Sequence, residues 1–216
     1  LTSPIYGLGE LASAIDTTSF NAAADYCDEL VAQYDGGPTQ KRFEATGWID
    51  TSRPVRSNLV DLCTSCRATV FKTGTQWKVF IRRVQALSGL AVTPSNTIEG
   101  TWKYILPGSN DVPNSVAVVY VDAVNHDYRA DEVHWPIAGT SNPYLAEDGG
   151  YEHQVRIDLP LTDERNRAQQ IGMVLLREMR EAITVTVLGK EELLRAEAGD
   201  IVVVTQPSPG WVAKPF

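Results

Sequence analysis

The run Ser115-Val-Ala-Val-Val-Tyr-Val121 constrains this chain more than any other stretch, because it is apolar at odd and even positions alike. Alternate side chains of a strand point to opposite faces, so a strand that is apolar on both must be covered on both. The run therefore predicts the buried centre of a sheet with further layers packed over it. A chain of 216 residues, 43% hydrophobic and 21% charged, has the length and composition to build those layers around a substantial core.

The covering elements announce themselves by periodicity. After the capping cluster Asp16-Thr17-Thr18-Ser19, Phe20, Ala23, Ala24, Cys27, Leu30 and Val31 recur at helical spacing. They predict a helix over 19–33, with Asn21, Asp25, Asp28 and Glu29 on its wet face, stopped by Asp35-Gly36-Gly37-Pro38. Residues 43–49 alternate as a short strand. A second helix starts near Pro54, with Val55, Leu59, Leu62, Cys63, Cys66 and Val70 as its apolar face. A turn at 72–75 leads into a β-branched and aromatic strand over 77–84. Residues 18–84 thus read as helix, strand, helix, strand. The turn-rich, aperiodic stretch Leu87 to Asn96 is where the joint between two units is expected.

Beyond that joint, Trp102 and Tyr104 fall on one face of a strand, and a loop over 107–114 precedes the central strand. Residues 122–150 are polar and punctuated by Trp135-Pro136, Asn142-Pro143 and Gly149-Gly150, which predicts edge strands and loops. Thr162 is the expected cap of a third helix over 163–181, with Asp163 and Glu164 in its first turn and Ala168, Ile171, Val174, Leu175, Met179 and Ala182 buried. Two strands near 183–187 and 201–205, joined through 189–200, close the reading. The expected fold is α+β: a small helix and strand unit over 1–92, and a β-rich, barrel-like or sandwich-like domain with one packed helix over 93–216.

Residues able to carry chemistry are few. Cys63-x-x-Cys66 has half of a zinc or redox motif, but no second Cys pair exists and Cys27 belongs to a different helix, so two small core residues are expected. His126, His134 and His153 stand among Asp122, Asp127, Asp131 and Glu132, without the i, i+4 histidine pair of a zincin. A solvated acidic surface accounts for them, and no metal or cofactor is expected. Glu147-Asp148 beside Tyr144 and Tyr151 is the nearest approach to a glycosidase pair, yet adjacent carboxylates in a Gly-rich loop ordinarily face water. Gly-x-Ser-x-Gly and phosphate-cradling motifs are absent, and Tyr6-Gly-Leu-Gly9 lacks the third glycine of a dinucleotide fingerprint. No catalytic, cofactor-binding or metal-binding residue is assigned, and the chain is expected not to be an enzyme.

Charge excludes a further class. With 27 acidic against 19 basic residues, the net charge is −8, and no basic run is longer than the pair Arg82-Arg83, so phosphate-driven nucleic-acid binding is disfavoured. Three cysteines fit a reducing site of folding better than a disulfide-stapled scaffold. No stretch approaches the ~18 apolar residues of a membrane span, so a soluble chain is expected. A start at Leu1 without methionine reads as a piece of a longer protein.

Short motifs in a fixed order resemble a known family. Leu1-Thr-Ser-Pro-Ile-Tyr-Gly-Leu-Gly9, Ala24-Asp-Tyr-Cys-Asp28, Arg42-Phe-Glu-Ala-Thr-Gly47 and Leu59-Val-Asp-Leu-Cys63 are followed by Asp111-Val-Pro-Asn114 with its valine-rich strand. Arg167-Ala-Gln-Gln170, Gly199-Asp-Ile-Val202 and Pro207-Ser-Pro-Gly-Trp211 complete the series. In this order they resemble the tail-tip host-specificity (tip attachment) proteins of lambda-like phages and the related hub proteins of prophages and gene transfer agents. That resemblance implies a virion structural protein of the tail tip, made in the bacterial cytoplasm and assembled as a homotrimeric ring between tail tube and central fibre. Its implied partners are further copies of itself and other tail-tip and tail-tube proteins, with phage DNA passing through unbound and host contact made mainly by downstream regions. Two rival readings are a tail-associated cell-wall or glycan hydrolase and a host glycan-binding module using Trp135, Tyr144 and Tyr151.

Overall fold

The computed structural model describes residues 1–3, 7–33, 35–108, 112–137 and 141–216. In chain order the elements are α1 (Thr17–Asp28), β1 (Leu30–Val31), β2 (Gln40–Lys41), α2 (Val55–Ser65), β3 (Ala68–Thr73), β4 (Gln76–Ile81), β5 (Ala91–Val92), β6 (Lys103–Ile105), β7 (Ser115–Asp122), β8 (Arg129–Trp135), α3 (Pro143–Glu147), β9 (Gln154–Leu159), α4 (Arg165–Glu181), β10 (Thr184–Thr186), β11 (Val203–Gln206) and β12 (Trp211–Pro215). The class is α+β, as expected, with small open sheets and no closed barrel among the described residues. Two compact units form: Leu1–Arg82 with Gly108–Glu181, and Arg83–Pro107 with Ala182–Phe216.

The first unit is organised by β7, which is the centre of a three-stranded sheet as its sequence predicts. It pairs antiparallel with β8 and parallel with β9. Val118 stands between Val133 and Ile157, and Val116 between Trp135 and Val155, so these side chains share one face of the sheet. The helix α4 lies across that face, and Val116, Val118, Tyr120, Val133, Leu159, Ala168, Ile171 and Leu176 form a continuous core with Phe43. On the opposite face, Ala117 and Val119 lie in register with His134, Glu132, Arg156 and Asp158. There Glu132 meets His134 at 3.1 Å and Arg156 meets Asp158 at 3.2 Å, a polar cover over the second apolar row.

Helix α4 begins later than expected, and Thr162 does not cap it. The carbonyls of Thr162 and Asp163 instead accept from Val121 and Ala123, extending the end of β7, so the helix starts only after them. Glu164 folds its carboxylate back onto the first turn, accepting from Asn166 N–H at 3.0 Å and Arg167 N–H at 2.8 Å. The buried stripe is centred on Ala168, Gly172 and Leu176, while Ala182 lies beyond the helix and is exposed.

Helix α1 starts two residues early, with the Asp16 carboxylate accepting from Thr18 N–H at 3.2 Å. It also ends early, because Leu30 and Val31 leave the helix to pair with Lys41 and Gln40. Expected as packing residues of a helix face, they are strand residues here, and Leu30 is exposed.

The strand expected over 43–49 is absent. Phe43 plugs the core, the Thr46 N–H is taken by the Leu161 carbonyl at 2.8 Å, and Trp48 stands 97% exposed. Alternation without a partner strand does not make a strand. The second helix stops at Ser65, and Val70, expected on its apolar face, belongs to β3. Arg67 adopts a left-handed backbone with φ 53°, which turns the chain from α2 into the β3–β4 hairpin. Strand β4 occupies most of the expected 77–84 strand.

The second unit contains two small sheets. β6 pairs antiparallel with β10, and β11 is flanked by β12, antiparallel, and β5, parallel. The two late strands are joined through 189–200, where a short 3-10 turn, Glu191–Arg195, occupies the connection, and they belong to different sheets. Trp102 and Tyr104 stack as expected for one strand face, with ring centroids 6.2 Å apart. Trp211 meets Tyr104 edge-on at 5.5 Å, and Phe216 lies 4.9 Å from Trp211. The chain end is held by reciprocal backbone bonds between Val202 and Phe216.

Candidate functional site

The polar side chains of the first unit gather at two places around the sheet, and both are built from sequence-distant residues. At the start of β7, Asn114 is fully buried and uses every polar atom of its side chain. Its amide donates to Asp148 at 2.9 Å and to the Tyr151 carbonyl at 2.7 Å, and its Oδ1 accepts the His153 N–H at 2.9 Å. Asn142, which caps α3 by accepting from Tyr144 and Leu145, donates to the Asn114 carbonyl at 3.0 Å. One asparagine therefore fixes the entry to β7, the helix α3 and the approach to β9.

Arg180, near the end of α4, completes this arrangement. Its guanidinium donates to Asp148 at 2.9 Å, to Glu147 at 3.1 Å and to the Pro113 carbonyl at 3.1 Å, and lies over the Tyr144 ring at 4.4 Å. Arg180 first, and Asn114 second, hold the Asp148 carboxyl below its ordinary value. The adjacent carboxylates considered for sugar hydrolysis are thus bound to one arginine, and Asp148 is held ionised, the opposite of what a general acid requires. Tyr151 is exposed. Trp135 and Tyr144 pack against the core and line a hollow of about 330 Å³ with Pro143, Met173 and Arg177.

The second gathering is at the β7–β8 turn. Asp122, 2% exposed, accepts from the backbone N–H groups of Val124 and Asn125, both at 2.9 Å, and from the Asn125 amide at 3.1 Å. His126 lies 3.1 Å from Asp122 and 3.8 Å from Asp131. The Tyr120 hydroxyl donates to Asp131 at 3.1 Å. The Asn125 N–H is the main influence that brings Asp122 down to about 2, against the burial that pushes it up. Burial, then the bond to Asp131, raises the Tyr120 phenol. Potential metal-ligating atoms of Asp122, His126 and Asp131 lie within 4.8 Å of one another. Both oxygens of Asp122 are already committed to the turn, however, so the arrangement fits a cap on a hairpin better than a ligand set. His134 bonds Glu132 and Gln154 on the outer sheet face, apart from this turn.

The cysteines differ from expectation. Cys27 and Cys66, from different helices, pack against the same core, and the Cys66 thiol donates to the Leu62 carbonyl at 3.7 Å and the Cys63 carbonyl at 3.5 Å. Burial pushes the Cys63 thiol up, and Cys63 lines a groove of about 500 Å³ with Leu8, Leu59, Val60 and Trp77. Arg167, quoted above only as the first residue of a motif, was given no side-chain role by the sequence. It is buried and paired with Asp163 at 3.1 Å and Glu44 at 3.2 Å. Tyr6 and Asp111, parts of two motifs quoted above, lie outside the described residues.

Comparison with known proteins adds what this geometry lacks. No curated protein matches. Among solved structures, a chain from the virion of a native gene transfer agent particle is similar with a TM-score of 0.51 and 19% identity, over 71% of this chain and 33% of that one. At that identity the likeness is one of fold. The prophage tail protein gp18 from Listeria monocytogenes EGD-e has a TM-score of 0.41 at 12% identity, over 92% of this chain and 63% of its own. The chain spans about a third of the first and under two thirds of the second. The family model described as "Putative phage tail protein" matches residues 54–214, three quarters of the chain, and this chain belongs to that phage tail protein family.

Proposed function

We propose that the chain is a structural, non-enzymatic part of a tail tip, within the lambda-like host-specificity group, forming a hub ring of three copies between tail tube and central fibre. The family match over residues 54–214 carries this reading. Side-chain chemistry supports it: the Glu147 and Asp148 carboxylates are engaged by Arg180, and Asp122 by its own turn, so each charged gathering closes a loop or helix onto the sheet. Its partners in this reading are its own copies and neighbouring tail-tip and tail-tube proteins, in a virion assembled in the bacterial cytoplasm. A net charge of −8 would let DNA pass a ring lumen without fixed cations to hold its phosphates.

Electron cryo-microscopy of intact particles carrying the parent protein tests the reading. Threefold density for this chain at the tail tip is the expected result. Density along the tube or at the head, or a lumen lined with Lys and Arg, refutes the corresponding part. Turnover of peptidoglycan by the chain would replace the structural reading with the hydrolase one.

A second reading, host-glycan binding, draws on the hollow that Trp135 and Tyr144 share. Aromatic faces suit sugar rings, but Arg180 already lies over Tyr144. A glycan array decides it, and retention of a glycan that is lost in Trp135→Ala would favour it.

A further inference from the structure

Val31, Arg42, Phe43 and Arg67 line one hollow of about 240 Å³ with Met173 and Val174 of α4. Both of its arginines are packed on rings. Arg42 lies 4.4 Å over Tyr26 and Arg67 5.3 Å over Phe43, and the two rings are themselves neighbours, 6.2 Å between centroids.

Neither guanidinium is fully satisfied. The Arg67 side chain is only 9% exposed, yet its carboxylate, Glu178, stands at 3.8 Å, beyond hydrogen-bonding distance, while Arg82 holds the same carboxylate at 2.7 Å. Among the described residues the Arg67 guanidinium makes no hydrogen bond. Arg42 gives one N–H to Glu29 at 2.7 Å, but its Nε is buried without a hydrogen-bond partner. Three guanidiniums thus share two carboxylates, and one positive charge is left over in a chain whose net charge is −8. A buried cation without hydrogen bonds is costly, so an anion that supplied them would be held.

We propose that this hollow binds a small monocarboxylate with a short apolar tail, its carboxylate taken by Arg67 and the Arg42 Nε–H and its tail by Val31, Met173 and Val174. A single negative charge matches the single charge left over, whereas a phosphate dianion would be repelled by Glu29 and Glu178. The volume is below the roughly 300–1,000 Å³ of sites for drug-sized ligands, which limits the tail to a few carbons. A free short-chain acid and the carboxyl end of a polypeptide finishing in an apolar residue offer this same chemistry. The proposal stands independently of the tail reading.

The test is titration of the chain with isovalerate, followed by NMR at the arginine Nε–H groups and the Met173 methyl. Saturable shifts at Arg67 and Met173 are expected, and isovaleramide, which has the same shape without the charge, should not produce them. Arg67→Gln should weaken binding about tenfold or more, through loss of a charge-assisted contact. Glu178→Gln removes the competing carboxylate and should tighten binding, a gain that a merely structural arginine would not give. Arg82→Gln, at a half-exposed position, should weaken it by releasing Glu178 to Arg67. Tighter binding of N-acetylleucine than of isovalerate would support a polypeptide end as the source, and the reverse order a free acid. Absence of a saturable shift in the parent, equal binding of isovaleramide, or a stronger response to inorganic phosphate overturns the proposal, and none of these readings needs a variant to fold.

Discussion

Gly172 of α4 lies so close to Val118 of β7 that a β-carbon on the glycine would stand 2.5 Å from the Val118 Cγ2. This contact sets the distance between helix and sheet. Gly172→Ala gains about 1 kcal/mol of helix propensity but forces an overlap that costs roughly 1–3 kcal/mol, since a β-branched neighbour cannot swing away. The expected outcome is a net loss of up to about 2 kcal/mol, read by urea unfolding. A stabilised variant would show that helix and sheet separate freely.

Asn114 joins three chain segments through one buried amide. In Asn114→Ala the Tyr151 carbonyl, the His153 N–H and Asp148 each lose a hydrogen-bond partner in a part-buried setting. The expected loss is about 3 kcal/mol, because unpaired buried groups cost more than the bonds themselves contribute. Asn114→Asp should be destabilised as well, since it replaces the donor facing Asp148 with a second acceptor. Equal stability of the alanine variant and the parent would sink this account.

What could be read in the sequence was what local pattern determines. β7 is apolar on both faces from Val116 to Val121 and had to be central, while α1, α2 and α4 carry helical periodicity strong enough to survive tertiary packing. The misreadings share a cause. Val70 continues the spacing of Cys63 and Cys66, so nothing local separates β3 from α2, and the break comes from Arg67 in a left-handed conformation that no Gly or Pro marks. Strand β12 was missed because Trp211 to Pro215 ends in proline and carries Lys214, and its pairing with β11 is visible only in three dimensions.

The side-chain gatherings were legible by halves. The acidic and histidine-bearing segment after β7 was noted, but its Asp122 works through backbone N–H groups, which composition cannot display. Arg180 reaches Asp148 across 32 residues, so spacing rules built on short motifs could not find it. The cap of α3 did carry a signal, Asn142 followed by Pro143.

Acid should act through Asp122. Its folded value is brought down to about 2, whereas an unfolded aspartate titrates near ~3.9. A depressed carboxylate contributes its full stabilisation above the unfolded value and loses it as pH falls through the folded one, so the loss spans roughly pH 4 to 2. Thermal midpoints of the parent should fall through that window, and Asp122→Asn, already weaker at pH 7, should fall less steeply. Parallel curves for the two proteins would remove Asp122 from the acid response.

In the second unit the corresponding test falls on Thr97, which is 1% exposed. Its hydroxyl donates to the Thr93 carbonyl at 2.9 Å and accepts the Trp102 indole N–H at 3.2 Å, tying the turn before β6 to the first ring of the aromatic row. Thr97→Val keeps the shape and removes both bonds, leaving the Trp102 indole N–H without its partner while the Thr93 carbonyl keeps the Asn96 N–H, at an expected cost of about 1–2 kcal/mol. Stability alone could fall for reasons of packing. The discriminating reading is therefore hydrogen exchange at the Trp102 indole, followed by NMR. Exchange should quicken in Thr97→Val and stay slow in Thr97→Ser, which keeps the hydroxyl while losing the methyl. If the serine variant exchanges as fast as the valine one, the methyl group is holding the ring, and the hydroxyl is not.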